Sequence, residues 1–583
     1  MSDNSPKDIS SKWLKDFGSF LQTADVEGVA SCFRPDGWLR DILIFSWNNR
    51  SLCGPEKITQ YLKDSNLKAE TCTSFELDER PYLSAQFGPI GPAATGVSFG
   101  FRFVTPIAFG KGFAHLTEQD GSNGWKALSV VVTMDDLIGY EEAGPDLGFY
   151  GGHTLSWSDV YEERRRSLES DPHVLIVGGG QNGLNVAARF HKMNIPTLVV
   201  EQNARVGDNW RKRYPTLSLH TPKSHHPMLY QPFPENWPIF TPRDKLADWL
   251  EQYATSQDLI IWNNSHPMPT PSYDYSQRKW TVVINRAGQH VTLHPRHIVL
   301  AAGTLGHPRI PHISDLDLFK GPVIHSCGYP GAVEFLSKAN GKHVVVIGAG
   351  NTSADICQDL CYHGAEVTMV QRSSTCVVAA STTRKVLESR FPPGVPTSIS
   401  DFKFASLPLG LLRRMLISRK DALAAVEKDL QDGLRKAGMK INMGPEGTGN
   451  YLLVFERFGG LDVGCADLIA SGKIKVKQGV EVCSVTADTA TFSDGSSLPV
   501  DALIFATGYE SIRDTMRKIF GDETMDKTSL VWGLDEEDEL RGSYRPTGHP
   551  GLWFATGDFY HSRYSSKQLA LEIKAIELGL MKL

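Results

Sequence analysis

The chain has 583 residues, 41% of them hydrophobic and 22% charged, with a formal net charge of −6. That is ordinary globular composition, enough for three or four domains of ~150 residues, and the mild acidity argues against nucleic acid or an anionic membrane as partners. No apolar run approaches the ~20 residues a membrane helix needs, and the polar start Met1–Pro6 has no signal-peptide core. Nine scattered cysteines without a C-x-x-C motif point to a reduced, cytoplasmic protein with neither a disulfide framework nor a metal site. The final tripeptide, Met581-Lys582-Leu583, resembles a peroxisomal address only loosely, because its first residue is not small.

Residues 1–165 read as a separate unit. Helical patterns at Trp13–Leu21 and Val26–Phe33 precede a strand pattern at Trp38–Trp47, a helix starting at Gly54-Pro55, and strand patterns at Thr71–Leu77, Ser98–Ile107, Lys111–Thr117 and Trp125–Met134. Helices followed by a run of strands make an α+β domain. The order resembles the SnoaL-like cone fold of the nuclear-transport-factor-2 superfamily, including a Gly-Pro-x-x-Ile helix after the first strand. Asp36, Asp41, His115 and Asp120 are the acids and histidine that such a fold could use chemically. Packing, dimerisation or covering the main active site is the preferred role, so a homodimer is one expectation. Residues 135–161 link this unit to the rest, and the arginine run Arg164-Arg165-Arg166 reads as a solvated helix face.

The organising stretch follows. Val174–Val177 is an apolar run of strand length, and Gly178, Gly180 and Gly183 then fit G-x-G-x-x-G ahead of a helix-forming segment that includes Gln181. In that pattern the first glycine turns the chain, the second lets backbone approach a pyrophosphate, and the third lets helix pack on strand. A second strand, Thr197–Val200, ends at Glu201, 201 − 178 = 23 residues after the first glycine, where an acid can hold ribose hydroxyls. Another buried strand is expected at His297–Gly303.

A second dinucleotide site starts with the strand Val344–Ile347 and the turn Gly348-Ala349-Gly350-Asn351-Thr352-Ser353, a variant with serine at the third position. The next strand, Ala365–Val370, is followed not by an acid but by Arg372 and Ser373. An arginine fork suits a 2′-phosphate, so this site should prefer NADPH to NADH. Residues 377–470 read as irregular, with a helix at Ala422–Ala437 and a glycine-rich run at Gly444–Gly449, and are the expected place for substrate-facing variation. Val500–Tyr509 is a strand carrying Ala506-Thr507-Gly508, and Gly551–Asp558 is another, ahead of a C-terminal helix over Ser565–Leu580.

Two dinucleotide sites on one chain imply electron transfer between cofactors. A disulfide as acceptor is disfavoured, since residues 171–326 contain no cysteine. Phe319, Gly321, His325 and Tyr329 match F-x-G-x-x-x-H-x-x-x-Y between the two sites. This resembles the fingerprint of flavin-containing monooxygenases. With both glycine turns, the Trp210-Arg211 segment and the Ala-Thr-Gly strand, the resemblance covers about residues 170 to 583. Baeyer–Villiger relatives usually close the motif with tryptophan, where this chain has Tyr329.

The resemblance implies an α/β fold of two Rossmann-like domains, the NADPH domain inserted in the FAD domain. The FAD domain is expected at 170–320 and again at 499–583, with the NADPH domain between them at 321–498. The resemblance also implies that NADPH reduces FAD and that O2 then forms a C4a-hydroperoxyflavin which oxidises a small-molecule substrate. Glu201, Trp210, Arg211, Thr507, Gly508 and Asp558 join the glycine turns as cofactor-binding residues. His325, Asn351 and His220 are the catalytic candidates. Many amine- and sulfur-oxidising members carry an asparagine where this chain reads His220-Thr221-Pro222-Lys223, closer to the plant indole-3-pyruvate (YUCCA-type) pattern. N- or S-oxygenation and oxidation of a keto acid or carbonyl both stay open. The competing readings are an NADPH oxidase or flavin reductase that releases hydrogen peroxide, and a binding protein with an inert flavin half, against which the intact glycines argue.

Overall fold

The computed structural model describes residues 5–65, 67–119, 124–447 and 460–582; Asp120, Gly449 and Leu583 lie outside them. The N-terminal unit packs helices Pro6–Gln22, Val26–Ser31 and Pro55–Asp64 against one sheet. Its strands run in the order Asn49–Cys53, Phe33–Ile42, Gly124–Leu137, Ala108–Gln119, Ala94–Val104, Thr73–Leu77, with Gln86–Ile90 also on Ala94–Val104. Ser5 starts the first helix with a reciprocal Ser5–Asp8 capping box, and Trp13, Leu14, Phe17 and Leu21 form its buried face at helical spacing. Trp13 meets Phe99, and Phe17 meets Phe75 and Phe101, edge to face, while Phe75 stacks on Phe103 within the sheet.

Two parallel five-stranded sheets follow. The first has the order Ile261–Trp262, Thr197–Val200, Val174–Val177, His297–Leu300, Leu552–Phe554. Its central strands carry apolar side chains on both faces because both are covered, one by the helices Gln181–Lys192 and Phe559–Glu577, the other by the antiparallel strands Lys279–Arg286 and Gln289–Leu293 with the helix Ile512–Phe520. The fifth strand comes from the far end of the chain, and the C-terminal helix Phe559–Glu577 packs on the Gln181–Lys192 helix. His173, His297 and Glu577 latch that helix to the strand starts. Trp553 Nε1 donates to His297 Nδ1 (3.2 Å), which leaves the Nε2 proton facing Glu577 (3.4 Å), and His173 Nε2 lies 3.0 Å from the same carboxylate.

The second sheet has the order Val323–His325, Ala502–Phe505, His343–Ile347, Glu366–Gln371, Ile474–Gln478. Ala502–Phe505 therefore belongs to the second nucleotide unit, and the boundary expected at 499 is too early. The chain returns to the first unit only after this strand, whose four residues are buried between Val323–His325 and His343–Ile347. The expected helix Ala422–Ala437 is two helices, Lys420–Val426 and Lys428–Lys436. They break at Glu427, whose carboxylate is drawn aside to accept from the Ala379 backbone N–H (2.9 Å).

The N-terminal unit docks on helices Thr397–Ala405 and Leu409–Ser418 and on the C-terminal helix. Arg40 makes a two-pronged pair with buried Glu539 (2.6 and 2.7 Å) and donates to the Ala405 carbonyl, while Ser51 donates to the same glutamate (2.6 Å). Asp41, a candidate acid, is fully buried instead. It accepts from the Ile44 and Phe45 backbone and from Tyr61 (2.5 Å), and burial pushes its pKa up to about 6. Asp36 is paired with Arg34 at the surface (2.8 Å).

His115 sits between the hydroxyls of Ser98 and Ser406, each 2.7 Å away, and burial, with Lys403 nearby, lowers its pKa to about 3. Its folded pKa is depressed below the ordinary ~6.5, so stability is present above that value and is lost as pH falls towards 3. His115→Gln is expected to flatten the acid limb: between pH 6 and 5 the wild type should lose about 1 kcal/mol more than the variant, measured by urea midpoints.

Candidate active site

The two glycine turns lie at the carboxyl ends of the two sheets, where open α/β sheets bind ligands. Gly178 has φ +113°, and a Cβ there would stand 2.5 Å from the Ala301 carbonyl oxygen; at Gly183 it would meet the Gly178 oxygen at 2.0 Å. Both are glycines because of backbone packing. Gly180 differs, since a Cβ would find no protein atom closer than Asn209 Nδ2 at 3.7 Å. It leaves open space at the Gln181–Lys192 helix N-terminus, into which an anion such as a pyrophosphate fits. Glu201 closes the loop by accepting from the Gly179 N–H (2.8 Å) and from Asn203, with carboxylate acceptor capacity left over. Trp210 borders the site with a buried indole N–H that has no partner among the described residues, and Asp558 caps the C-terminal helix. Asp558 is held well below the usual carboxylate range by His561 and His225, at 2.7 and 2.9 Å, against the effect of burial. The residues present therefore fit a dinucleotide.

Arg211 is occupied by the protein itself. Its guanidinium reaches Val206 O, Asp208, Asp248 and Glu251, so it shapes the loop and has no free fork for an anion. In the second turn Gly348 repeats the geometry of Gly178, with φ +128° and a Cβ position 2.2 Å from the Ala506 oxygen. Ser353 works at the third position because its hydroxyl donates to the Gly348 carbonyl (2.6 Å), the counterpart of the carbonyl a Cβ would strike in the first turn. Gly350 is the N-cap of helix Asn351–Tyr362, whose first turn holds Asn351 and Thr352. Arg372 is largely exposed beside Ser373 and pairs with Glu481 at 3.2 Å.

The 319–329 motif is a fastening. Gly321 lies so close to Asp501 that a Cβ would sit 2.0 Å from its carbonyl oxygen. Tyr329 donates to Asp359 (2.7 Å). His325 accepts from the Cys327 N–H at Nδ1 (3.2 Å) and donates from Nε2 to the Gly508 carbonyl (3.1 Å). Burial lowers its pKa, which keeps the one tautomer that satisfies both bonds. His325 thus ties the motif to the Thr507-Gly508 turn, where the Thr507 hydroxyl donates to the Arg309 carbonyl.

His220 meets, across the two units, the helix that begins at Asn351. Asn351 Oδ1 accepts from the Leu461 N–H (2.6 Å), and one turn further along the same helix Asp355 lies 3.2 Å from His220 Nε2. Tyr214 donates to the same Asp355 oxygen at 2.6 Å. Asp355 and Tyr214 are not among the residues the sequence motifs single out. The available signal was the spacing of Asn351 and Asp355, four residues apart and so on one helix face.

The family model for flavin-binding monooxygenase-like proteins matches residues 173–518, more than half of the chain. Relatives include the indole-3-pyruvate monooxygenase YUCCA1 of Oryza sativa subsp. japonica, 30% identical over 367 residues that cover 62% of this chain and 82% of that protein. The probable indole-3-pyruvate monooxygenase YUCCA9 of Arabidopsis thaliana is 27% identical, covering 71% of this chain and 89% of its own. Among solved structures, the polycyclic ketone monooxygenase of the thermophilic fungus Thermothelomyces thermophila shares the fold, with a TM-score of 0.50 and 16% identity over 71% of this chain and 78% of that one. Among the described residues no helix is long and apolar enough to cross a membrane. With two glycine turns built for dinucleotides and a family match spanning both, the chain belongs to the flavin-binding monooxygenase-like family and is a flavin-containing monooxygenase that works with FAD and NADPH.

Proposed function

We propose that this enzyme transfers one oxygen atom from O2 to a small carbonyl substrate, an α-keto acid before an amine or sulfide. The observation that carries the reading is His220. A histidine of the first unit, rather than a carboxamide, stands against the helix that opens the second, with its Nδ1 unpartnered among the described residues. The relatives named for indole-3-pyruvate support the same substrate class.

Gly178, Gly180, Gln181, Gly183, Glu201, Trp210 and Asp558 would hold FAD. Gly348, Gly350, Asn351, Thr352, Ser353, Arg372 and Ser373 would hold NADPH. Bound FAD, once reduced by NADPH, supplies the chemistry that activates O2. The chain's own role is positional: the helix N-termini after Gly180 and Gly350 present backbone N–H groups to phosphates, and His325 holds the 319–329 motif to the Thr507-Gly508 turn. Residues 321–505 form the inserted unit, with residues on either side completing the first.

The test is stoichiometry. Purified yellow protein should bleach with NADPH without air. In air with indole-3-pyruvate it should convert one substrate per NADPH with little hydrogen peroxide. One peroxide per NADPH, with the substrate untouched, would instead identify an oxidase. Arg372→Ala should raise KM for NADPH about tenfold and leave KM for NADH unchanged, the loss of one charge-assisted phosphate contact of roughly 1.4 kcal/mol. Equal effects on both nucleotides would remove Arg372 from 2′-phosphate recognition.

A further inference from the structure

His220 has a feature that the sequence motif does not contain. Its Nε2 faces Asp355 Oδ2 at 3.2 Å, and that same oxygen receives the Tyr214 hydroxyl at 2.6 Å. A carboxylate so placed pairs with the Nε2 side of the ring, and Nδ1, with no partner among the described residues, is the atom left to exchange a proton with a ligand. The platform is rigid. Asp355 lies on helix Asn351–Tyr362, one turn after Asn351, whose side chain is bound to the Leu461 N–H, and Tyr214 is buried with its ring near Tyr329 (6.1 Å between centroids).

The charged groups facing the ring are Asp355 from the helix and Asp462 from the neighbouring strand Gly460–Asp462, with the Tyr214 hydroxyl beside them. Burial opposes the imidazolium, yet Asp355, with Asp462 behind it, holds the His220 pKa above its ordinary value. A neutral asparagine in this place, as in many amine-oxidising members, could not carry that proton.

We propose that Asp355, clamped between Tyr214 and His220, is a positioning residue that fixes His220 as the proton donor to the carbonyl oxygen of a keto-acid substrate. The inference rests on the keto-acid reading above. When a nucleophilic oxygen atom, which O2 and FAD reduced by NADPH would supply, adds through a lone pair to the carbonyl carbon, the C=O π pair moves onto the carbonyl oxygen. The Nδ1–H bond of doubly protonated His220 breaks, an O–H bond forms on that oxygen, and the neutral imidazole keeps its Nε2 proton on the side that faces Asp355. Solvent then returns a proton to Nδ1. Since the folded pKa is raised, the donor form is present at low pH and is lost as pH rises through that value.

The experiment titrates His220 in 15N-histidine-labelled, flavin-loaded enzyme by NMR, with the resonance assigned by its absence in His220→Gln. Asp355→Asn should lower the His220 midpoint by on the order of one pH unit, the effect of removing an adjacent opposite charge, and Asp355→Glu should restore most of it. The alkaline inflection of indole-3-pyruvate turnover should move down with the midpoint, and His220→Gln should have no such inflection. An unmoved midpoint in Asp355→Asn overturns the clamp. A midpoint that moves without the inflection overturns the proton-donor role and leaves a domain-fastening ion pair. If the wild type does not consume indole-3-pyruvate, the keto-acid reading fails and the donor role with it, while the NMR midpoint still decides the clamp.

Discussion

Gly178→Ala is expected to lose its flavin and to be destabilised, whereas Gly180→Ala should lose the flavin alone. At φ +113° an alanine carries roughly 1–3 kcal/mol of backbone strain, and its Cβ would also stand 2.5 Å from the Ala301 oxygen on the neighbouring strand turn. Gly180 has ordinary extended backbone, φ −82° and ψ −176°, with the nearest protein atom at 3.7 Å. A methyl group there costs the empty fold nothing and occupies space reserved for phosphate. Flavin absorbance per protein and urea unfolding of the flavin-free forms separate the two effects. A Gly180→Ala protein that stays fully yellow would mean that the first turn does not hold the cofactor through close backbone approach.

The second large effect concerns the junction with the N-terminal unit. Arg40→Met should destabilise the protein by about 3–5 kcal/mol, because Glu539 is left almost wholly buried with its charge unmatched. Combining Arg40→Met with Glu539→Leu should recover most of the loss, since two apolar side chains of similar volume need no partner. Denaturant unfolding at neutral pH of the two variants is the measurement. Equal losses in the single and double variants would show that the pair acts through shape alone, without a burial penalty. The exposed pairs elsewhere, such as Lys7–Glu79, should be worth little by comparison.

What could be read from the sequence was what short-range pattern dictates. The strand–glycine–helix units at 174–192 and 344–362 stand where the residues imply, because close backbone packing at Gly178, Gly183 and Gly348 is a local demand. The contrast at Gly180, where a Cβ would meet no close protein atom, follows from its place in the same motif, at the helix start. What could not be read depends on partners distant in the chain. Nothing near Ala502 says that it pairs with Val344 and not with the first sheet. Nothing in the helical run around Glu427 announces that Ala379 will break it. Arg211 has the look of a cofactor residue in the sequence, and only the fold shows Asp248 and Glu251, on a helix about forty positions away, claiming it. Asp355 is hidden for the same reason, since its importance comes from a loop about 140 residues earlier.

The placement of Leu552–Phe554 as the last strand of the first sheet has a consequence for biosynthesis. Its partner, His297–Leu300, leaves the ribosome about 250 residues sooner, so throughout that interval it is an open edge of buried-type residues. Such an edge is a template for pairing with other chains. The first cofactor site also lacks its Gly557-Asp558 side until then. A nascent or prematurely terminated chain ending before Leu552 should therefore be colourless and prone to aggregate, and flavin capture becomes a late checkpoint on whether translation reached the final helix.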